Sequence, residues 1–352
     1  MESPLKRIAN GMGLQKREES IASLARFSTP SGWGQSREYS DEELEGLDSK
    51  HAYIYSAIRA IADNVASTPM TLYKDGNRVD SHPALDLVQD PADHLTSTQF
   101  KSMITRHLLL TGDCFVETVR DTIQYKDGRR AIRPAQLIPM IPPSAVKVVP
   151  GEEEFIDHYV YDAPNSPKLN LEKEEIVHLR FMSAQDQLYG LSPLQSLREE
   201  LSTDEKAVSY NEKFFDSSAS PGGILTSERR LNKDTKDDIE RRWNKKHQGV
   251  EQSHKIAVLG QGMEFQPIGL SQEDMQFIET RDMTKKDIRA LYGVPATYLG
   301  ETDATYASAT EASKAFFVNV IIPMANRIAE ALTKYVLNVY WPNQNLQYDF
   351  NF

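Results

Sequence analysis

The sequence predicts an α+β protein whose helices extend away from a mixed body. Three observations carry this. Between residues 51 and 190, helix-spaced apolar residues give way to short strand-like runs. Two helical stretches of roughly 20 residues, each long enough to reach ~30 Å, then bracket a small strand-helix-strand segment. A third long helical stretch, with a proline inside it, follows.

Residues 1–50 lack periodic apolar positions, and Glu38, Asp41, Glu42, Glu43, Glu45 and Asp48 cluster there with no base among them. This composition predicts a mobile N-terminal arm with room for one short helix. From His51, the residues Ile54, Ile58, Ile61, Ala62 and Val65 recur at helical spacing, and Pro69 closes that helix. Met70 to Val79 reads as a hairpin turning at Asp75-Gly76-Asn77. His82-Pro83 opens a short helix, Ala84 to Gln89, stopped by Pro91. Phe100, Met103, Ile104, His107 and Leu108 mark the next helix, with Gly112 as its stop. Cys114 to Val119 is a strand, and Ala135 to Met140, Ala145 to Val149, His158 to Tyr161 and Ile176 to Phe181 are strand-like.

Pro193 suits a first helical turn, and Leu194, Leu197, Leu201, Val208, Phe214 and Phe215 continue that helix until Ser220-Pro221-Gly222-Gly223. Ile224-Leu225 reads as a short strand, Asp234 to His247 as a charged helix and Lys255 to Leu259 as a strand. Ser271 to Tyr292 is helical and stops at Gly293 and Pro295. Thr310 to Tyr340 is helical through Phe316, Val320, Met324, Ile328, Leu332, Tyr335 and Val339, with a kink expected at Pro323.

Composition removes several classes. The single cysteine, Cys114, excludes a disulfide framework and a one-chain cysteine metal site. No apolar run approaches the ~20 residues of a membrane helix, and no secretory signal is visible, so a reducing, aqueous compartment without a membrane partner is expected. Forty basic against 51 acidic residues leave a net charge of −11, which argues against a surface that grips nucleic acid throughout.

Catalytic patterns are lacking. There is no phosphate loop, no G-x-S-x-G elbow and no H-E-x-x-H; Gly260-Gln261-Gly262 lacks the third glycine of a dinucleotide loop. Asp86, Asp90, Asp93 and His94 are the densest group of ligand-type side chains, but acidic residues are common at helix ends such as Asp90-Pro91. No metal, cofactor or catalytic residue is therefore assigned. Cys114 reads as a buried small hydrophobe and His178 as a satisfied structural histidine. The stretch 226–247 carries Arg229, Arg230, Lys233, Lys236, Arg241, Arg242, Lys245 and Lys246 against five carboxylates. It is either a solvated helix laced with ion pairs or a docking surface for an acidic partner or DNA phosphates. The helix ending at Tyr292 mixes Arg281, Lys285, Lys286 and Arg289 with Glu273, Asp274, Glu279, Asp282 and Asp287. Such a pattern suits a solvent-facing helix or the wall of an aqueous channel.

Seven stretches, in order, resemble the portal (head-to-tail connector) proteins of tailed bacteriophages, in the long-tailed branch. They are Tyr55 to Leu72, His82 to Phe100, Leu110 to Val119, Glu175 to Leu179 with Gly190 to Leu194, Phe214 to Leu225, Ile268 to Gly300, and Thr305 to Pro323. The resemblance implies a portal-type fold: an arm at 1–50, a wing at 51–192, stem helix 1 at 193–217, a strand-helix-strand clip at 218–269, stem helix 2 at 270–292, a tunnel-loop region at 293–309, and a long kinked helix with the end of the wing at 310–352. The helical crown of the family is expected to be absent or truncated.

The resemblance further implies a homo-dodecameric ring at the capsid vertex of the virion, assembled in the host bacterial cytoplasm. Double-stranded DNA would pass through it without sequence specificity, during packaging and ejection, with no covalent chemistry. Implied partners are the terminase large subunit, a head-tail adaptor, and the capsid and scaffolding proteins. Thr302, Asp303, Ala304, Thr305, Tyr306, Ala307 and Ser308 become tunnel-loop candidates, Arg281, Lys285, Lys286 and Arg289 channel-lining candidates, and the eight bases of 226–247 a clip docking surface. The sequence departs from the family at Ala307-Ser308-Ala309, where an Asn is common. The strands Ile224-Leu225 and Ile256 to Leu259 are expected to pair across subunits. The alternatives are a non-portal ring or adaptor, which would lack a DNA-wide axial hole, and a nucleic-acid-processing enzyme, which would lose activity on changing Asp90 or His94.

Overall fold

The computed structural model describes residues 40–124, 130–151, 154–184, 186–217, 223–227, 238, 241, 263–267, 284–299 and 306–352. They divide into two compact units. One holds the described residues up to Arg198 together with Asp287–Phe352; the other lies within Glu199–Lys286.

The first unit begins with two short helices, α1 (Asp41–Glu45) and α2 (Leu47–Lys50). Ser40 and Glu43 form a reciprocal capping box, each side chain accepting from the other's backbone N–H. Leu44 and Leu47 are buried, and the Glu45 carboxylate accepts from the backbone N–H and the hydroxyl of Ser144 at 2.7 and 3.0 Å. The end of the expected mobile arm is thus part of the body. Its run of single-sign charge hid two leucines that pack.

Helix α3 (Ala52–Ser67) buries Ile54, Ile58, Ile61, Ala62 and Val65, the stripe legible in the sequence. The hairpin β1 (Met70–Lys74) and β2 (Asn77–Val79) turns through Asp75 and Gly76, both with positive φ, as a two-residue hairpin favours. Helix α4 (Pro83–Gln89) is capped by the His82 imidazole, whose Nδ1 accepts from Ala84 N–H. Helix α5 (Ser97–Thr111) starts with a Thr96–Gln99 capping box, ends at left-handed Gly112 and packs on α3.

Strands β3 (Asp113–Gln124), β4 (Arg130–Pro139) and β8 (Ile176–Arg180) form an antiparallel sheet with β3 central. A second sheet runs β5 (Val146–Val149), β6 (His158–Tyr161), β7 (Leu169–Glu172). Phe115, Met140, Val146, Val148, Tyr159, Leu171, Ile176 and Leu188 pack as one cluster between the sheets. Strand β7 has no counterpart in the sequence reading: Leu169 and Leu171 alternate with Asn170 and Glu172, but the run is only four residues long and Leu171 alone is buried.

A 3₁₀ turn at Pro193–Leu197 leads into helix α6 (Arg198–Ser217). In the second unit, β9 (Gly223–Ser227) pairs antiparallel with β10 (Met263–Pro267), placing Ile224 opposite Gln266 and Leu225 opposite Phe265. The expected strand Lys255 to Leu259 lies outside the described residues. One edge of β9 is thus occupied within the chain, so pairing across subunits through Ile224-Leu225 has only the other edge to use. Helix α7 covers 284–292.

A continuous helix, α8, runs over 306–340 and is followed by β11 (Leu346–Phe350), which pairs with β1 from Met70↔Phe350 to Lys74↔Leu346. The expected break at Pro323 takes the form of a π turn, Phe317–Ile321, closed by Ile322 N–H to Phe317 C=O just before the proline. A second π turn, Thr333–Leu337, presents the Thr333 hydroxyl to Tyr348 N–H at 3.0 Å. The stretch Ser308–Tyr340 is long and apolar enough, by length and composition, to cross a bilayer, contrary to the sequence expectation. Asn319, Pro323, Asn326 and Arg327 interrupt the apolar run in the sequence and obscure this. Here its apolar stripe serves the core: Ile321, Ala325, Ile328, Leu332 and Val336 are fully buried. Ile328→Val is expected to cost about 1 kcal/mol, read as a lower thermal midpoint.

Candidate functional site

Helix α7 buries Thr284, Ile288 and Tyr292 at four-residue spacing, while Lys286 and Ala290 are exposed and Lys285 and Arg289 half-buried. Three of the four channel-lining candidates therefore fall off the buried stripe; Arg281 lies outside the described residues. The helix ends at Gly293, with φ of 63°. Gly293 N–H bonds Ala290 C=O at 3.2 Å and Val294 N–H bonds Arg289 C=O at 3.0 Å, the double closure of a Schellman motif. A 3₁₀ turn, Ala296–Leu299, follows, with the Tyr298 ring 5.1 Å from that of Phe316.

Of the tunnel-loop candidates, Thr302, Asp303, Ala304 and Thr305 lie outside the described residues. Tyr306, Ala307 and Ser308 stand in the first turn of α8, with Ser308 exposed. The alanines at 307, 309 and 312 favour helix over loop there. Of the docking candidates, Arg241 is helical and its side chain is 78% exposed, 4.0 Å from the Asp238 carboxylate. Arg229, Arg230, Lys233, Lys236, Arg242, Lys245 and Lys246 lie outside the described residues. Asp86, Asp90, Asp93 and His94 do not converge as metal ligands, nor does any such group among the described residues.

One buried, well-bonded polar group among the described residues of the first unit is one the sequence reading passed over. Asp113, at the start of β3, is buried; its carboxylate accepts from His178 Nε2 at 2.8 Å and from Gly190 N–H, with both oxygens at 2.9 Å. His178 also lies 3.5 Å from the Tyr159 hydroxyl and stacks on Phe115 at 4.2 Å. Burial lowers the His178 pKa below the ordinary imidazole range, against the opposing pull of Asp113. His178 is thus a bonded structural histidine, as its place in an apolar strand suggested.

Around this pair the chain crosses itself. A Cβ on Gly190 would overlap the Gly112 carbonyl, and one on Gly112 would overlap the Leu191 carbonyl and Ser192 nitrogen. The Ser192 hydroxyl donates to Leu110 C=O, and the buried Tyr292 hydroxyl donates to Leu109 C=O at 2.9 Å. The visible signal was the placing of Asp113, Gly190 and Ser192 inside otherwise apolar stretches.

Next to it, Cys114 Sγ lies 3.8 Å from His107 Nδ1. Burial pushes the thiol up, aided by the Asp113 charge, and pushes His107 down to about 4. Both members are neutral, so no thiolate nucleophile forms. The unfolded chain takes up a proton on this imidazole below about pH 6.5, whereas the folded one does so only near 4. Stability should therefore be complete above about pH 6.5 and decline as pH falls toward 4, by about 3 kcal/mol from this group. Thermal unfolding between pH 7 and 4.5 checks this, and His107→Gln should flatten the slope.

A family model described as phage portal protein matches residues 52–352. The probable portal protein of Streptomyces phage phiC31 is 22% identical over 287 residues, covering 78% of this chain and 61% of its own length. An uncharacterized protein of Rickettsia bellii is 23% identical over 319 residues, covering 87% of this chain and 79% of its own. Among solved structures, the neck of a native gene transfer agent particle, computed with C12 symmetry, superposes with a TM-score of 0.70 at 22% identity, covering 94% of this chain and 89% of that one. An HK97-family portal protein from Corynebacterium diphtheriae superposes with a TM-score of 0.56 at 16% identity, covering 86% and 93%.

Proposed function

The chain belongs to the phage portal protein family, a structural and non-enzymatic one, and on that premise we propose that twelve copies surround an axial channel at a capsid vertex. Double-stranded DNA passes through it during packaging and ejection. The observation that carries this reading is the match of the family model from residue 52 to 352.

In this reading the first unit is the wing, and the second is the clip with most of the stem. Helices α6 and α7 belong to the stem helices, and the tunnel-loop region is 293–309. The terminase large subunit docks on the clip and is later replaced by a head-tail adaptor; capsid and scaffolding proteins are further partners. Assembly takes place in the host bacterial cytoplasm. Phosphate contacts dominate DNA affinity, so a channel that must release a sliding polyanion keeps its basic charge balanced. The net charge of −11 and the mixed signs on the helix ending at Tyr292 suit that demand. Lys286 and Arg289 then face the channel with Arg281 and Lys285, and Thr302 to Thr305 approach the duplex.

The mass of the purified assembly, with micrographs along its axis, tests the ring. A dodecamer with an opening wide enough for B-form DNA is expected, and a particle without a central opening sinks the proposal. Reversing the charge at Arg241, Arg242, Lys245 and Lys246 should leave the ring intact and lower DNA packaging at least roughly tenfold, by removing charge pairs at the motor interface. Unaltered packaging would remove the docking role.

A further inference from the structure

Helix α5 ends in a buried turn whose last carbonyls need partners. Leu108 C=O is capped by Gly112 N–H at 3.0 Å. The next two are capped from far away in the chain. Leu109 C=O accepts from the Tyr292 hydroxyl at 2.9 Å, across 183 residues, and Leu110 C=O accepts from the Ser192 hydroxyl, across 82. Those donors sit at special points. Ser192 lies just before the first passage of the chain into the second unit, and Tyr292 just after its return. Both are buried. Each is fixed by further bonds: Ser192 accepts from Leu194 N–H and follows Gly190, whose N–H is held by Asp113; Tyr292 precedes the Gly293–Val294 closure of α7.

We propose that the C-terminal turn of α5 is a shared anchor that ties the two connecting segments of the chain together, with Ser192 and Tyr292 as its positioning residues. Two adjacent peptide groups of one rigid helix end hold the first-unit ends of both connections. A pull on either connection is borne by the same turn, and loosening one loosens the other. The anchor stands on hydrogen bonds within the first unit. Its use in carrying the load of DNA passage rests on the portal reading.

Amide hydrogen exchange on the assembled full-length protein tests the anchor. Tyr292→Phe removes one hydroxyl and leaves Leu109 C=O unpaired. Loss of one such bond should speed exchange about five- to tenfold at 290–294 and, through the shared turn, also at 190–194. Ser192→Ala should do the converse. A merely local role predicts faster exchange only around the substituted residue, and that result in both variants overturns the proposal. If Tyr292→Phe does not fold, Ser192→Ala alone decides by whether 290–294 is affected. A separate packaging assay on the same variants addresses the load-bearing use. Coupled exchange with unchanged packaging would keep the anchor and remove that use.

Discussion

Replacing Gly190 by alanine is expected to be the most damaging single change in the first unit, costing more than about 4 kcal/mol. An added Cβ at this position meets the carbonyl of Gly112 and the carbonyl oxygen of Phe181. These are backbone groups and cannot swing aside as a side chain would. Each is also tied down: Phe181 N–H bonds Gly112 C=O at 2.8 Å, and Leu191 N–H bonds Phe181 C=O at 3.0 Å. Relief requires moving β8 or the end of α5, and both carry fully buried side chains. Soluble yield and the thermal midpoint read the effect, with a fall of at least about 8 °C expected. A variant melting within a degree or two of the parent would show that the crossing is looser than described.

Asp113→Ala ranks next, at about 3–5 kcal/mol. The substitution strands two buried donors, Gly190 N–H and His178 Nε2–H. The size depends on those donors rather than on the aspartate itself, so a double variant separates the two. Adding His178→Phe to Asp113→Ala removes one stranded donor, fills the space with a ring and keeps the stack on Phe115. The double variant should be more stable than the sum of the single effects by about 1–2 kcal/mol. Strict additivity in chemical denaturation would deny that the pair acts as a unit. Asp113→Asn keeps one acceptor and should fall between parent and alanine.

Much of the architecture was legible because burial leaves a period. The Ile54–Val65 stripe of α3, the Asp75-Gly76 turn, the Gly112 stop and the strand His158–Tyr161 all appear where the pattern put them. Patterns failed where burial is sparse or charge dominates. Strand β7 alternates over only four residues and buries one of them, and the acidic run 41–48 concealed the two leucines of α1 and α2. The candidate site was legible as residue types in quoted stretches, not as contacts. Asp113 was visible as the residue before a cysteine, and Tyr292 as the end of a helix.

By itself the sequence determined the α+β class, the order of most elements and the family, since these depend on local periodicity, turn residues and ordered motifs. Only the tertiary structure decided that Asp113 holds Gly190, that β11 closes on β1, and that Ser192 and Tyr292 meet at adjacent carbonyls of α5. Those pairings join residues 77 to 280 positions apart along the chain. No local period encodes them, because they follow from which buried donors and acceptors are left over once the core has packed.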